Sequence, residues 1–100
     1  MPPPVIALHG GAGTIARDLL SPGQEAEYHQ ALEAALDAGW KVLDAEGSAV
    51  DAVEQAVRAL EDCPLFNAGR GAVFNAAGEI ELDACIMDGA TLKAGAVTNV

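Results

Sequence analysis

Leu60-Glu61-Asp62-Cys63-Pro64-Leu65-Phe66-Asn67-Ala68-Gly69-Arg70-Gly71-Ala72-Val73-Phe74 is the stretch where a helical pattern gives way to a loop, and the rest of the chain is organised around it. Glu61 and Asp62 fall in what reads as the last turn of a helix, where the negative end of the dipole and the unpaired carbonyls disfavour anions. A bound cation removes that conflict, and so does solvent; the residues alone leave both open. Pro64 forbids further helix. Gly69 and Gly71 permit backbone angles closed to other residues, so the loop can turn several carbonyls toward one point.

Upstream, Ser48 with Asp51 three residues on is a capping pattern, and Val50, Val53, Val57 and Leu60 mark the expected buried face of a helix that runs into the loop. An earlier helix starts at Ser21, Pro22 and Gln24, which supply an N-cap, a first-turn proline and a capping-box partner. Its apolar stripe is Tyr28, Leu32, Ala35, Leu36, Gly39 and Leu43, and Gly47 is expected to end it. Val5-Ile6-Ala7-Leu8 reads as a strand buried on both faces, delivering His9-Gly10-Gly11-Ala12-Gly13-Thr14 at its end.

Downstream, Ala72 to Asn75 reads as a strand, Ala76 to Glu79 as a turn, and Ile80 to Met87 as a second strand with Ile80, Leu82, Ala84 and Ile86 on one face. Asp88-Gly89 is a tight-turn dipeptide, and Thr91 to Val100 resumes an extended pattern. The expected class is α/β in the broad sense (α+β), with the helices paired on one side of a sheet. Residues 1–100 form a single unit, and the apolar pattern still running at Val100 suggests truncation.

The apolar fraction of 51% suffices for a core, although aromatics contribute only 4%. Fifteen acidic against five basic residues give a formal charge of −10, which opposes binding to nucleic acid or to anionic lipid. No apolar run is long enough to span a bilayer, and Met1-Pro2-Pro3-Pro4-Val5 has the features of neither a signal nor a transit peptide. Cys63 and Cys85 show no close spacing and read as reduced thiols of a cytoplasmic protein.

The glycines after His9 fit neither dinucleotide-loop nor P-loop spacing. They are either a tight turn or a place where bare backbone approaches a ligand. His9 is either a satisfied structural group or a catalytic one; His29 lies on the polar helix face, and neither histidine has a second ligand at zinc spacing. Glu81, Asp83 and Asp88 are acid–base candidates that read first as strand-face and turn residues. Thr14, Thr91 and Thr98 lack a recognisable base. Asn67 has a neutral amide able to donate and accept, in either a loop-ordering or a site role.

Taken together, His9 to Thr14, Glu61 to Phe74, Glu81 to Gly89 and the continuation Thr91 to Val97 resemble the plant-type L-asparaginases, or isoaspartyl aminopeptidases, of the N-terminal-nucleophile hydrolase superfamily. The resemblance implies the N-terminal part of the α subunit of a four-layer αββα precursor that cuts itself. The cut frees a threonine that attacks the side-chain amide of asparagine or a β-aspartyl dipeptide. That nucleophile and the substrate-holding residues would lie beyond Val100, so this chain alone is expected to be inactive. The implied partners are a β subunit from the same precursor, a dimer of αβ units and a small-molecule substrate. No organic cofactor is implied.

Onto the residues present, the resemblance carries three features. His9, Gly10 and Gly11 form a glycine loop beside the nucleophile. Asn67 supports the nucleophile. Leu60, Glu61, Cys63, Phe66, Ala68 and Arg70 offer main-chain oxygens to a structural sodium ion. The competing reading is an inert fragment, or a stand-alone cation-binding or interaction module.

Overall fold

The computed structural model describes residues 2–11 and 20–100, in the order α1 (Pro22–Asp44), α2 (Ala49–Glu61), a 3-10 turn (Gly69–Gly71), β1 (Ala84–Asp88) and β2 (Lys93–Val97). Ala12 to Thr14 of the expected glycine loop lie outside the described residues. The start of α1 is set locally. Ser21 Oγ accepts from the Gln24 N–H at 3.2 Å and Gln24 Oε1 accepts from the Ser21 N–H at 2.9 Å, so two N–H groups that the helix cannot pair are satisfied reciprocally. Ser48 begins α2 with the first half of this arrangement, its hydroxyl accepting from the Asp51 N–H at 3.1 Å.

The end of α1 departs from expectation by one residue. Glu46, not Gly47, takes the left-handed conformation (φ 62°), and the Glu46 and Gly47 N–H groups donate to the Leu43 and Val42 carbonyls at 3.0 and 2.8 Å, a Schellman ending. Gly47 is needed for space instead, because a Cβ there would lie 2.9 Å from the Val42 carbonyl oxygen.

Helices α1 and α2 pack through small residues. Ala35, Gly39, Ala52 and Ala56 are buried, and a Cβ on Gly39 would sit 3.0 Å from the Ala52 carbonyl oxygen and 3.3 Å from Ala56 Cβ. This close approach corrects the face expected for α2. Alanines occupy the seam, while Val53 and Val57 remain 42% and 46% exposed and turn toward Ile86 of β1. The helix pair thus meets the sheet through α2.

β1 and β2 form an antiparallel hairpin with Ala84 opposite Val97 and Asp88 opposite Lys93. The connection is four residues, Gly89 to Leu92, and not the tight two-residue turn expected; Leu92 closes it at φ 59°. Asp88 organises this loop, accepting from the Ala90 N–H at 3.1 Å and the Thr91 hydroxyl at 3.0 Å. Beyond the ladder, Leu82 and Val100 exchange backbone hydrogen bonds at 3.1 and 3.0 Å, which offsets the register by one residue. The offset is a bulge at Thr98–Asn99, with Asn99 at φ 53° and its N–H donating to Asp83 Oδ1 at 3.1 Å.

Three other strand expectations are corrected. Val5 to Leu8 and Ala72 to Asn75 form no ladder among the described residues, and the Ile80–Met87 strand begins only at Ala84. Apolar composition allows a strand, but a strand exists only where a neighbouring edge takes up its N–H and C=O groups. Among the described residues one such pair is formed, so the expected three-strand meander is a two-stranded hairpin within an α+β arrangement. The expected turn at Ala76 to Glu79 is present, held by Asn75, whose Oδ1 accepts from the Ala77 and Glu79 N–H groups at 3.0 and 2.9 Å. Among the described residues no helix is long and apolar enough to cross a membrane.

Candidate functional site

After Glu61 the backbone tightens on itself. The Cys63 N–H donates to the Leu60 carbonyl at 3.2 Å, Ala68 to Phe66 at 2.8 Å, Gly71 to Ala68 at 3.0 Å, and Ala72 to Gly69 at 3.2 Å. The loop then folds back against the helix end. Gly69, at φ 50°, faces the Glu61 carbonyl so closely that a Cβ would collide with it. Gly71 lies in the same way against the carbonyls of Phe66 and Pro64. Of the six expected ligand oxygens, that of Leu60 accepts from the Asp62 and Cys63 N–H groups, while those of Cys63, Phe66 and Ala68 each accept one backbone N–H and keep a second lone pair. Those of Glu61 and Arg70 accept none among the described residues.

The charge conflict at the end of α2 is partly answered from within the loop, since Arg70 Nε stands 4.0 Å from Asp62 Oδ1. Both side chains are over three-quarters exposed, so solvent screens the pair and its contribution is small. Among the described residues no group of three His, Cys, Asp or Glu side chains could hold a metal ion, so a cation here would rely on main-chain oxygens.

Phe66 anchors the loop. Its side chain is 7% exposed and meets Tyr28 edge to face, with centroids 6.1 Å apart and planes at 75°. Next to it, Asn67 Oδ1 accepts from the Val73 N–H at 3.0 Å, closing the loop across six residues; the donor identity assigns which end of the amide is oxygen. Asn67 Nδ2 has no acceptor among the described residues and is available to a ligand.

His9 Nδ1 accepts from the Gly11 N–H at 3.1 Å, so the imidazole stiffens its own turn. Gly11 has φ 121°, which favours glycine, and Gly10 lies against Leu32 and Phe66. Gly10, Gly11 and Asn67, expected at the site from sequence, line one open groove of about 790 Å³. Tyr28 and His29 line it as well, although the sequence placed one in an apolar stripe and the other in solvent; His29 Nε2 is 3.7 Å from Glu25 Oε1. The four-residue spacing of Tyr28 and Leu32 was the available signal.

Asp83 and Asp88, acid–base candidates by sequence, are committed to the bulge and the hairpin loop. Cys63 and Cys85 are free thiols, half-buried and exposed respectively. The groove therefore offers an amide donor and bare backbone, while its described lining contains no hydroxyl or thiol nucleophile apart from the phenol of Tyr28.

Comparison with known proteins bears on this arrangement. A family described as asparaginase matches residues 2–100. The chain is 60% identical over 96 residues to an isoaspartyl peptidase of Salmonella typhimurium, covering 96% of this chain and 31% of that protein. It is 51% identical over 98 residues to a human isoaspartyl peptidase/L-asparaginase (97% and 30% covered) and 48% identical over 95 residues to a plant-type L-asparaginase of Pyrococcus abyssi (95% and 30% covered). The chain thus spans under a third of the length of these curated relatives.

Proposed function

The chain belongs to the asparaginase family, and from that premise we propose that it is the N-terminal part of a hydrolase that releases L-aspartate from L-asparagine and from β-aspartyl dipeptides. The observation that carries the reading is the convergence of Gly10, Gly11 and Asn67 on one groove in a chain matched by the family from end to end. The relatives' names, isoaspartyl peptidase and L-asparaginase, supply the two substrate classes.

In this reading the nucleophile is a threonine freed by self-cleavage in a later part of an αββα precursor, and its own α-amine serves as base. The groove receives it. The Val73 N–H fixes Asn67 Oδ1, which leaves Nδ2 as the group that would donate to the threonine hydroxyl. The turn stiffened by His9 presents the Gly10–Gly11 backbone alongside. A fixed donor is worth most where it needs no reorganisation as charge develops.

The carbonyls of Leu60, Glu61, Cys63, Phe66, Ala68 and Arg70 would hold a sodium ion; hard oxygen donors and the crowding of carbonyls around Gly69 and Gly71 fit such a cation. Its charge would offset the negative end of α2 and keep the loop that carries Asn67 in one shape. The partner segments are a β subunit from the same precursor and a second αβ unit. Two free cysteines fit a cytoplasmic setting.

The test uses the full-length protein. Mass spectrometry first confirms self-cleavage, and aspartate release is then measured from asparagine and from a β-aspartyl dipeptide. Release from either supports the proposal. A fully cleaved protein that releases none from both would refute it.

A further inference from the structure

We infer that Tyr28 is a positioning residue that sets Asn67 against the His9–Gly11 segment through the ring of Phe66; the inference rests on the functional reading above. Tyr28 and Leu32 stand one turn apart on α1, on one face. Tyr28 meets the Phe66 ring edge to face at 6.1 Å, and Leu32 touches Gly10: a Cβ built there would be 2.8 Å from Leu32 Cδ2 and 3.4 Å from Phe66 Cε1. The two segments that frame the groove therefore share one seat, made by two side chains of a single helix.

Phe66 immediately precedes Asn67, and on the far side the Ala68 N–H is tied to the Phe66 carbonyl at 2.8 Å. A displaced ring moves Asn67 with it, because the chain has no slack between the two anchors. Phe66 is 7% exposed, so its position is decided by packing, and Tyr28 supplies the aromatic face of that packing. The Tyr28 hydroxyl makes no hydrogen bond to a described residue, so the ring carries the effect.

The experiment compares Tyr28→Leu and Tyr28→Phe in full-length, self-cleaved protein; Tyr28→Met replaces Tyr28→Leu if the latter does not accumulate. Two readouts are taken: kcat and KM per cleaved subunit on a β-aspartyl dipeptide, and hydrogen exchange of peptides spanning residues 4–11 and 61–75. Tyr28→Leu is expected to lower kcat about three- to tenfold with KM within about twofold, the range an aromatic pair and a displaced site group give. Exchange is expected to rise in both peptides together, and Tyr28→Phe to match wild type in both readouts.

An unchanged kcat per cleaved subunit, or exchange that rises in residues 61–75 alone, overturns the inference. A wild-type protein that cleaves itself yet releases no aspartate defeats the functional reading. In that event the exchange readout still decides whether Tyr28 couples the two segments.

Discussion

Gly71→Ala probes how tightly the loop is folded on the end of α2. The added methyl would collide with the Phe66 carbonyl oxygen and lie 2.6 Å from that of Pro64. Both are backbone atoms, so no side-chain rotation relieves the clash. Relief requires moving Phe66 or unwinding the 3-10 turn, which breaks the bonds from the Ala68 N–H to Phe66 (2.8 Å) and from the Gly71 N–H to Ala68 (3.0 Å). Overpacking of this kind costs about 1–3 kcal/mol, and each of the two lost hydrogen bonds about 0.5–1.5, so a destabilisation of about 2–6 kcal/mol is expected. The internal control is Gly23→Ala, the same chemical change in the first turn of α1, where the nearest atom is Ser21 Oγ at 4.0 Å. That change is expected to stabilise by up to about 1 kcal/mol. Urea or thermal melts of the full-length protein measure both. If Gly71→Ala stays within about 1 kcal/mol of wild type, the loop backbone is not packed as described and the carbonyl arrangement fails with it.

Asn67→Asp keeps an acceptor for the Val73 N–H but removes the Nδ2 donor, so melts should barely change while kcat falls at least about tenfold; equal losses in both would make Asn67 a loop residue only. Replacing sodium and potassium by a bulky organic cation at constant ionic strength should lower the melting temperature through lost binding to the native state, and an unchanged value would argue against an ion in the Leu60–Arg70 loop. Glu46→Gly should stabilise by up to about 1 kcal/mol, because it relieves a left-handed side-chain-bearing residue at the end of α1; a loss in thermal melts would contradict this.

What could be read from the sequence divides along physical lines. Helix starts at Ser21 and Ser48 were legible because capping is settled within four residues. The strands were less so: Val5 to Leu8 has strand composition, yet pairing depends on an edge that local sequence does not specify. The face of α2 was misplaced for a related reason. Hydropathy favours the valines, but the distance between two helices is set by which small residues allow approach, and that is a property of the pair. The glycine segment and Asn67 could be singled out as short, unusual motifs. Phe66 was chosen only for its carbonyl, and its aromatic contact with Tyr28 joins positions 38 residues apart in a way no periodicity announces.

The small-residue seam between the helices makes its members mutationally interdependent. Gly39 is bounded on one side by Ala52 and Ala56, and on another by Ile6 Cδ1, only 2.5 Å from where a Cβ would stand. Gly39→Ala alone should destabilise by about 1–3 kcal/mol and Ile6→Val alone by about 0.5–1.5. In the double variant the shortened Ile6 vacates room for the new methyl, so the combined loss should fall short of the sum by at least about 0.5 kcal/mol. Additive losses would show that Ile6 is not seated there. If the pair is coupled, sequence change in the middle of α1 constrains the segment leading to His9, and the two positions are free to drift only together.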